Sequence, residues 1–137
     1  MNPLLDIVEY NRIAITYLKA KKPEAAYNLL DRAEKTLKSR EIPHNHKLWG
    51  VTLNNLGCYY KHIRKPQIAL HYFDRASNIR PTSGTDKLNM AGIYLNISSV
   101  KDELGQHSSS AAYAHRAIHS MRQILARNTL DIPVHRK

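Results

Sequence analysis

The sequence predicts an all-α stack of three antiparallel helical hairpins, and three observations lead there. Between Leu53 and Pro81, large and small apolar residues alternate at three- and four-residue steps over two helix-length segments. A short turn joins these segments and a proline closes the second, which is the pattern of a helical hairpin. The same arrangement recurs upstream at an offset of 43 residues and, in weaker form, downstream at an offset of 41.

In the central hairpin, Gly57 and Ala69 leave room for two helices to approach, and Tyr60 and Phe73 fill the space around them. The upstream match is unambiguous. Lys22-Pro23-Glu24-Ala25-Ala26 aligns with Lys65-Pro66-Gln67-Ile68-Ala69, and Asp31-Arg32-Ala33 aligns with Asp74-Arg75-Ala76. Ala14 and Tyr17 then fall on Gly57 and Tyr60. Downstream, Arg116-Ala117 echoes Arg75-Ala76, and Ser98 falls on Gly57. However, Lys101 stands where Tyr60 was and Ser110 where Ala69 was, so the third framework is degraded, as terminal repeats often are.

Element by element, α1 is predicted over Asn2–Ala20, with Pro3 at an early helical position and an inward stripe of Leu5, Val8, Ile13, Ala14 and Tyr17. Lys21 and Lys22 form the turn. Pro23 opens α2, where a missing N–H costs nothing, and Ala26, Leu30, Ala33 and Leu37 face inward. Pro43 and Asn45 mark a break before α3, expected over His46–His62, where Trp49 is expected to pack against α2. Helix α4 follows over Pro66–Asn78. Helix α5 is expected from about Thr85, with Asp86 favouring its N-terminal dipole, to about Leu104, where Gly105 ends it. Helix α6 is expected to start within Ser108–Ser110 and run to about Arg127. The expected organisation is a single domain over 1–127, with repeats at about 7–40, 50–81 and 91–127, followed by a tail over 128–137 in which Leu130, Ile132 and Val134 cover the end of α6.

Composition limits the functional classes. The 137 residues suffice for one domain, and 42% hydrophobic with 23% charged is ordinary for a soluble globular chain. The single cysteine, Cys58, excludes an intramolecular disulfide and a cysteine-based zinc site. No apolar run approaches the ~20 residues that span a bilayer. The N-terminus carries Asp6 and Glu9 and lacks a basic segment followed by an apolar run, so the expected compartment is the cytoplasm. The net charge is +10, and residues 43–84 are its densest part, with 6 basic residues against Asp74 alone. A surface of this kind favours anionic partners by long-range steering.

The framework Leu56, Gly57, Tyr60, Ala69, Phe73 and Pro81, with Leu53 and Ala76 as further positions, resembles the tetratricopeptide repeat (TPR). The long repeat step and the Leu53-Asn54-Asn55-Leu56 lead are similar to the repeats of kinesin light chains and of some cortical and ciliary scaffolds. This resemblance implies a right-handed superhelical α-solenoid whose first helices line a concave groove. It also implies that residues just before the small Ala/Gly/Ser position face that groove: Arg12, Asn55 and Asn96, with Asn11 and Asn54 beside the first two. An asparagine ladder can both donate to and accept from an extended peptide backbone. One turn further along lie Ile15, Cys58 and Ser99, then Lys19, Lys61, His62 and Asp102, of which the basic members suit acidic side chains. Gly92 and Asn96 occupy positions where a carboxylate clamp would need basic residues, so that variant of the groove is not expected.

No glycine-rich phosphate loop, Gly-x-Ser-x-Gly or paired-carboxylate arrangement occurs, and no catalytic constellation or cofactor is expected. His44-Asn45-His46 and His115/His119 have metal-compatible spacing but lack carboxylate context. The leading reading is a noncatalytic protein-interaction module or scaffold that takes an extended or helical, acidic partner segment in its groove, without membrane contact. Two alternatives stand beside it. One is a structural subunit of a larger cytoskeletal or ciliary assembly, with self-association through the apolar end of α6 (Tyr113, Ile118, Met121, Ile124, Leu125). The other is a helical repeat that binds RNA or another polyanion.

Overall fold

In a computed structural model, which describes residues 2–131 of the backbone and side chains through residue 127, the chain is all-helical. Its helices are α1 (Pro3–Lys19), α2 (Pro23–Ser39), α3 (Lys47–His62), α4 (Pro66–Ser77), α5 (Gly84–Glu103) and α6 (His107–Asp131). Local chemistry sets most boundaries. Prolines open α2 and α4, the Asn2 side chain caps α1, and the His46 ring accepts from the Leu48 N–H at the start of α3. Helix α5 begins one residue earlier than expected, because Ser83 is its cap and accepts from the Asp86 N–H. Helix α6 begins at His107 and continues to Asp131, past the expected end near Arg127. The proposed tail contacts of Ile132 and Val134, and the side chain of Leu130, lie outside the described residues.

The helices pair as α1–α2, α3–α4 and α5–α6, and each second helix also packs on the next first helix, α2 on α3 and α4 on α5. Successive first helices touch as well, α1 with α3 and α3 with α5. Among the described residues, no corresponding contact joins α2 to α4 or α4 to α6. The first helices therefore make a continuous inner layer, and the second helices splay around it as an outer layer.

The core runs along the seam between these layers. Trp49, Phe73, Leu37, Ile97 and Val100 belong to its main cluster, and Ala14, Leu18, Ala26, Leu30 and Leu56 to a second one. Trp49 shares the main cluster with Ala33 and Leu37 of α2, and its indole N–H donates to the Ile42 carbonyl at 3.0 Å. On α1 the inward stripe differs from the expected one. It is Ile7, Asn11, Ala14 and Leu18, while Leu5 is 65% and Val8 47% exposed. The apolar pattern misplaces the stripe because one of its members, Asn11, is polar. Its amide is buried but satisfied, donating to the Ile7 carbonyl and to Thr52 Oγ1.

Equivalent positions of the three hairpins are Ala14 and Leu30, Gly57 and Phe73, and Ser98 and Ala114, the last set shifted by 41 residues from the second, so the first two are small–large pairs and the third is small on both sides. Gly57 is the tightest, since a Cβ there would lie 2.5 Å from two atoms of the Phe73 ring. In the third hairpin the two polar replacements answer each other. Ser98 Oγ donates to the Ser110 carbonyl and Ser110 Oγ donates to the Ser98 carbonyl, both at 2.8 Å.

Candidate functional site: the groove of the inner layer

The inner layer forms an open groove of about 780 Å³, to which α1 gives Val8, Asn11, Arg12 and Ile15, α3 gives Val51, Asn54 and Asn55, and α5 gives Leu88, Leu95 and Asn96. The position of each side chain follows from the repeat. Val8 and Val51 are equivalent residues one hairpin apart, as are Asn11 and Asn54. Leu88 and Leu95 lie seven residues apart on α5, as Val8 and Ile15 do on α1, so each pair forms a row along its helix. All four are exposed, with Leu88 at 53% and Leu95 at 43%. Two apolar rows thus flank a floor of amides.

Those amides are bonded to one another. Asn55 Nδ2 donates to Asn11 Oδ1 at 2.9 Å, and Asn96 Nδ2 donates to Asn54 Oδ1 at 3.1 Å and more weakly to Cys58 Sγ. The relation repeats: an asparagine on one first helix accepts from the asparagine one position further on in the next. Asn55 is buried and Asn54 and Asn96 are half-buried. Their donors thus tie the inner layer together, which the expectation of a ladder gripping a peptide backbone does not include. Arg12 stands where Asn55 does in the second hairpin. It is exposed and paired with Glu9 three residues earlier. That hydrogen bond holds the Glu9 carboxyl below the usual carboxylate range.

The remaining expected site residues do not line this groove. Cys58 is half-buried against both core clusters, and burial pushes its thiol from 9.0 up to about 11 despite the neighbouring Lys61, so it is a packing residue and not a poised thiolate. Lys61 Nζ donates to Ser99 Oγ at 2.7 Å, which links the ends of α3 and α5. Lys19 and His62 are exposed beside the turns that follow α1 and α3. The apolar rows are what sequence reasoning missed. Their signal was present, because the Val8/Val51 equivalence and the seven-residue spacings mark one face, but Val8 had been placed in the core stripe.

At the far end of the groove are Lys47, Arg80 and Asp86. Hydrogen bonds from the Thr82 side chain and backbone hold the Asp86 carboxyl below its ordinary range. Among the described residues no group of three or more His, Cys, Asp or Glu side chains is arranged to hold a metal, and no helix is long and apolar enough to cross a membrane.

Comparison with known proteins agrees with this architecture. Residues 49–80 match the family described as Tetratricopeptide repeat. Among curated proteins, none matches the chain in sequence. Among solved structures, BtubC (BKLC) from P. vanneervenii is similar with a TM-score of 0.73 at 22% identity, over 96% of this chain and 51% of that one. The chain therefore spans about half the length of BtubC. The TPR domain of Arabidopsis FLU is similar with a TM-score of 0.70 at 17% identity, over 89% of this chain and 99% of that domain. The central hairpin matches the tetratricopeptide repeat, and nearly all of the chain has a TPR-type helical-repeat fold.

Proposed function

We propose that the protein is a noncatalytic interaction module that takes a helical segment of a protein partner into the groove of its inner layer. One observation carries this reading: exposed apolar rows, Val8 and Ile15 against Leu88 and Leu95, stand over asparagines in which Asn55 and Asn96 already donate to the side-chain oxygens of Asn11 and Asn54. An extended peptide needs its backbone groups satisfied by the groove, and here Asn55 and Asn96 already donate across the helix interface. An amphipathic helix satisfies its own backbone and needs apolar contact, which the rows supply. The TPR-type fold implies protein partners in general, and the exposed apolar rows support a helix with an apolar face as the segment bound.

The test is affinity capture from lysate with the wild type, a Val8→Gln/Leu95→Gln variant and an Ile68→Gln control on the outer helix α4. The expected result is a partner captured by wild type and control but lost with the double variant, and then bound as an isolated helical peptide with an affinity on the order of micromolar. Equal capture by all three proteins would remove the groove from consideration.

A further inference from the structure

A second surface lies on the edge where the first helix of each hairpin turns into the second. The three turns are built alike. The N–H groups of Lys22, Lys65 and Gln106 donate to the carbonyls of Tyr17, Tyr60 and Lys101 at 2.9, 2.9 and 2.8 Å, and the residue before each has positive φ: 59° at Lys21, 65° at Arg64 and 78° at Gly105. This helix-ending turn favours glycine, because a side chain in the left-handed region meets its own backbone. The third hairpin follows that preference and the first two do not, having a cation in each strained position.

The next residue repeats the contrast. Lys22 and Lys65 are the N-caps of α2 and α4, yet neither makes a side-chain capping bond, and each places a cation at the positive end of a helix dipole. The third hairpin has neutral Gln106 there. Four cations therefore occupy positions that local structure disfavours, at equivalent sites of two neighbouring hairpins. Lys19 and Lys61 lie beside them. The ion pairs among the described residues are Glu9–Arg12, Asp31–Lys35, Glu34–Lys38 and Asp102–His107, and none of them neutralises this edge. Glu24 is the one acid near it in the first two hairpins, and Asp102 and Glu103 bound it at the third.

We propose that the turns of the first two hairpins, centred on Lys21, Lys22, Arg64 and Lys65, dock a short acidic polypeptide segment. Neighbouring helices pack about 10 Å apart, and like-facing side chains of an extended peptide repeat about every 7 Å. Two turns therefore match a run of a few Asp or Glu residues, and the acids of the third hairpin end the surface there. A longer polyanion would meet that acidic boundary. Single-stranded nucleic acid would also need free aromatic faces, but nearby tyrosines pack against each other, Tyr27 tilted on Tyr59 at 4.9 Å and Tyr60 stacked on Tyr72 at 5.3 Å. A membrane surface would need apolar side chains at the contact, and of the large exposed hydrophobics only Ile68 lies within a turn of this edge. This docking does not depend on the groove, so either reading can fail alone.

The test uses the variant Lys21→Gly/Arg64→Gly, in which structure and charge predict opposite effects. Glycine relieves both strained positions, so the melting temperature should rise. Loss of two cations should weaken binding of a fluorescein-labelled octaglutamate peptide by about tenfold at low salt, and Lys21→Arg/Arg64→Lys should restore it. Octathymidylate and phosphatidylserine vesicles serve as competing probes. A higher melting temperature with unchanged peptide affinity overturns the proposal, as does absence of octaglutamate binding by the wild type. Tighter binding of octathymidylate or vesicles than of the peptide overturns it too.

Discussion

The second and third hairpins solve one packing problem in two ways. Both must bring a first and a second helix together at a position with no room for a large side chain on both sides. The second puts the volume on α4, as Phe73, and leaves nothing on α3, at Gly57. The third has small residues at both equivalent positions, Ser98 and Ala114, and joins its helices by the reciprocal hydrogen bonds of Ser98 and Ser110. The difference shows that what recurs from hairpin to hairpin is a small residue on the first helix at the crossing, while the residue type and the volume opposite it change. It also explains why the third repeat reads as degraded: Ser98 and Ser110 depart from the pattern singly, while together they bond across the hairpin.

The sharpest break of this comparison is Gly57→Ala. The new Cβ meets a ring that is fully buried and cannot swing away, so overpacking should cost about 1–3 kcal/mol despite alanine's better helix propensity. In a Phe73→Leu background, which reproduces the Ala14–Leu30 pair of the first hairpin, the same substitution should cost much less. Urea unfolding of the four proteins in a double-mutant cycle reads this coupling, and additive losses would show that the two positions do not share their volume.

A smaller effect is expected in the third hairpin. Ser98→Ala removes one of the two reciprocal bonds while Ser110 Oγ keeps its acceptor, the Ser98 carbonyl, so about 1 kcal/mol should be lost. The corresponding loss should appear as faster amide exchange confined to α5 and α6. If exchange rises equally in α3 and α4, the hairpins unfold as one unit and the contrast between them is only local.

The smallest effect distinguishes the hairpins by pH. In the second hairpin, burial pushes the Cys58 thiol from 9.0 up to about 11 and the Tyr60 hydroxyl from 10.0 up to about 12. The third hairpin has Ser99 and Lys101 at these positions. Both raised groups favour the protonated form when folded. Their contribution is complete below pH 9.0 and is lost as pH rises through about 11 for the thiol and 12 for the hydroxyl. Helicity measured during alkaline titration should therefore fall less steeply for Cys58→Ser than for wild type between pH 9 and 11. Identical curves would assign the alkaline loss to other groups.

Much of the fold was legible because it rests on pattern. Pro23 and Pro66 mark helix starts, the offset of 43 residues aligns the first two hairpins, and Gly105 marks a helix end. The candidate site was legible only in outline. Asn55 and Asn96 lie on the groove in the structure, but no local pattern shows that an amide is already bonded across a repeat, since that depends on how far each helix is advanced relative to the next. Asn11 had the same effect on α1, where a buried polar residue broke the apolar periodicity and moved the expected stripe onto Val8. The strained turns were hidden for a related reason: Lys21 and Arg64 look like ordinary basic surface until their backbone angles are known.

The amide ties have a mechanical consequence. They join α1 to α3 and α3 to α5, all within the inner layer, whereas the outer helices are not joined to one another among the described residues. A bending load on the stack should therefore open the outer layer like a fan and leave the spacing of the inner helices nearly constant. Curvature can then change while the apolar rows keep their separation.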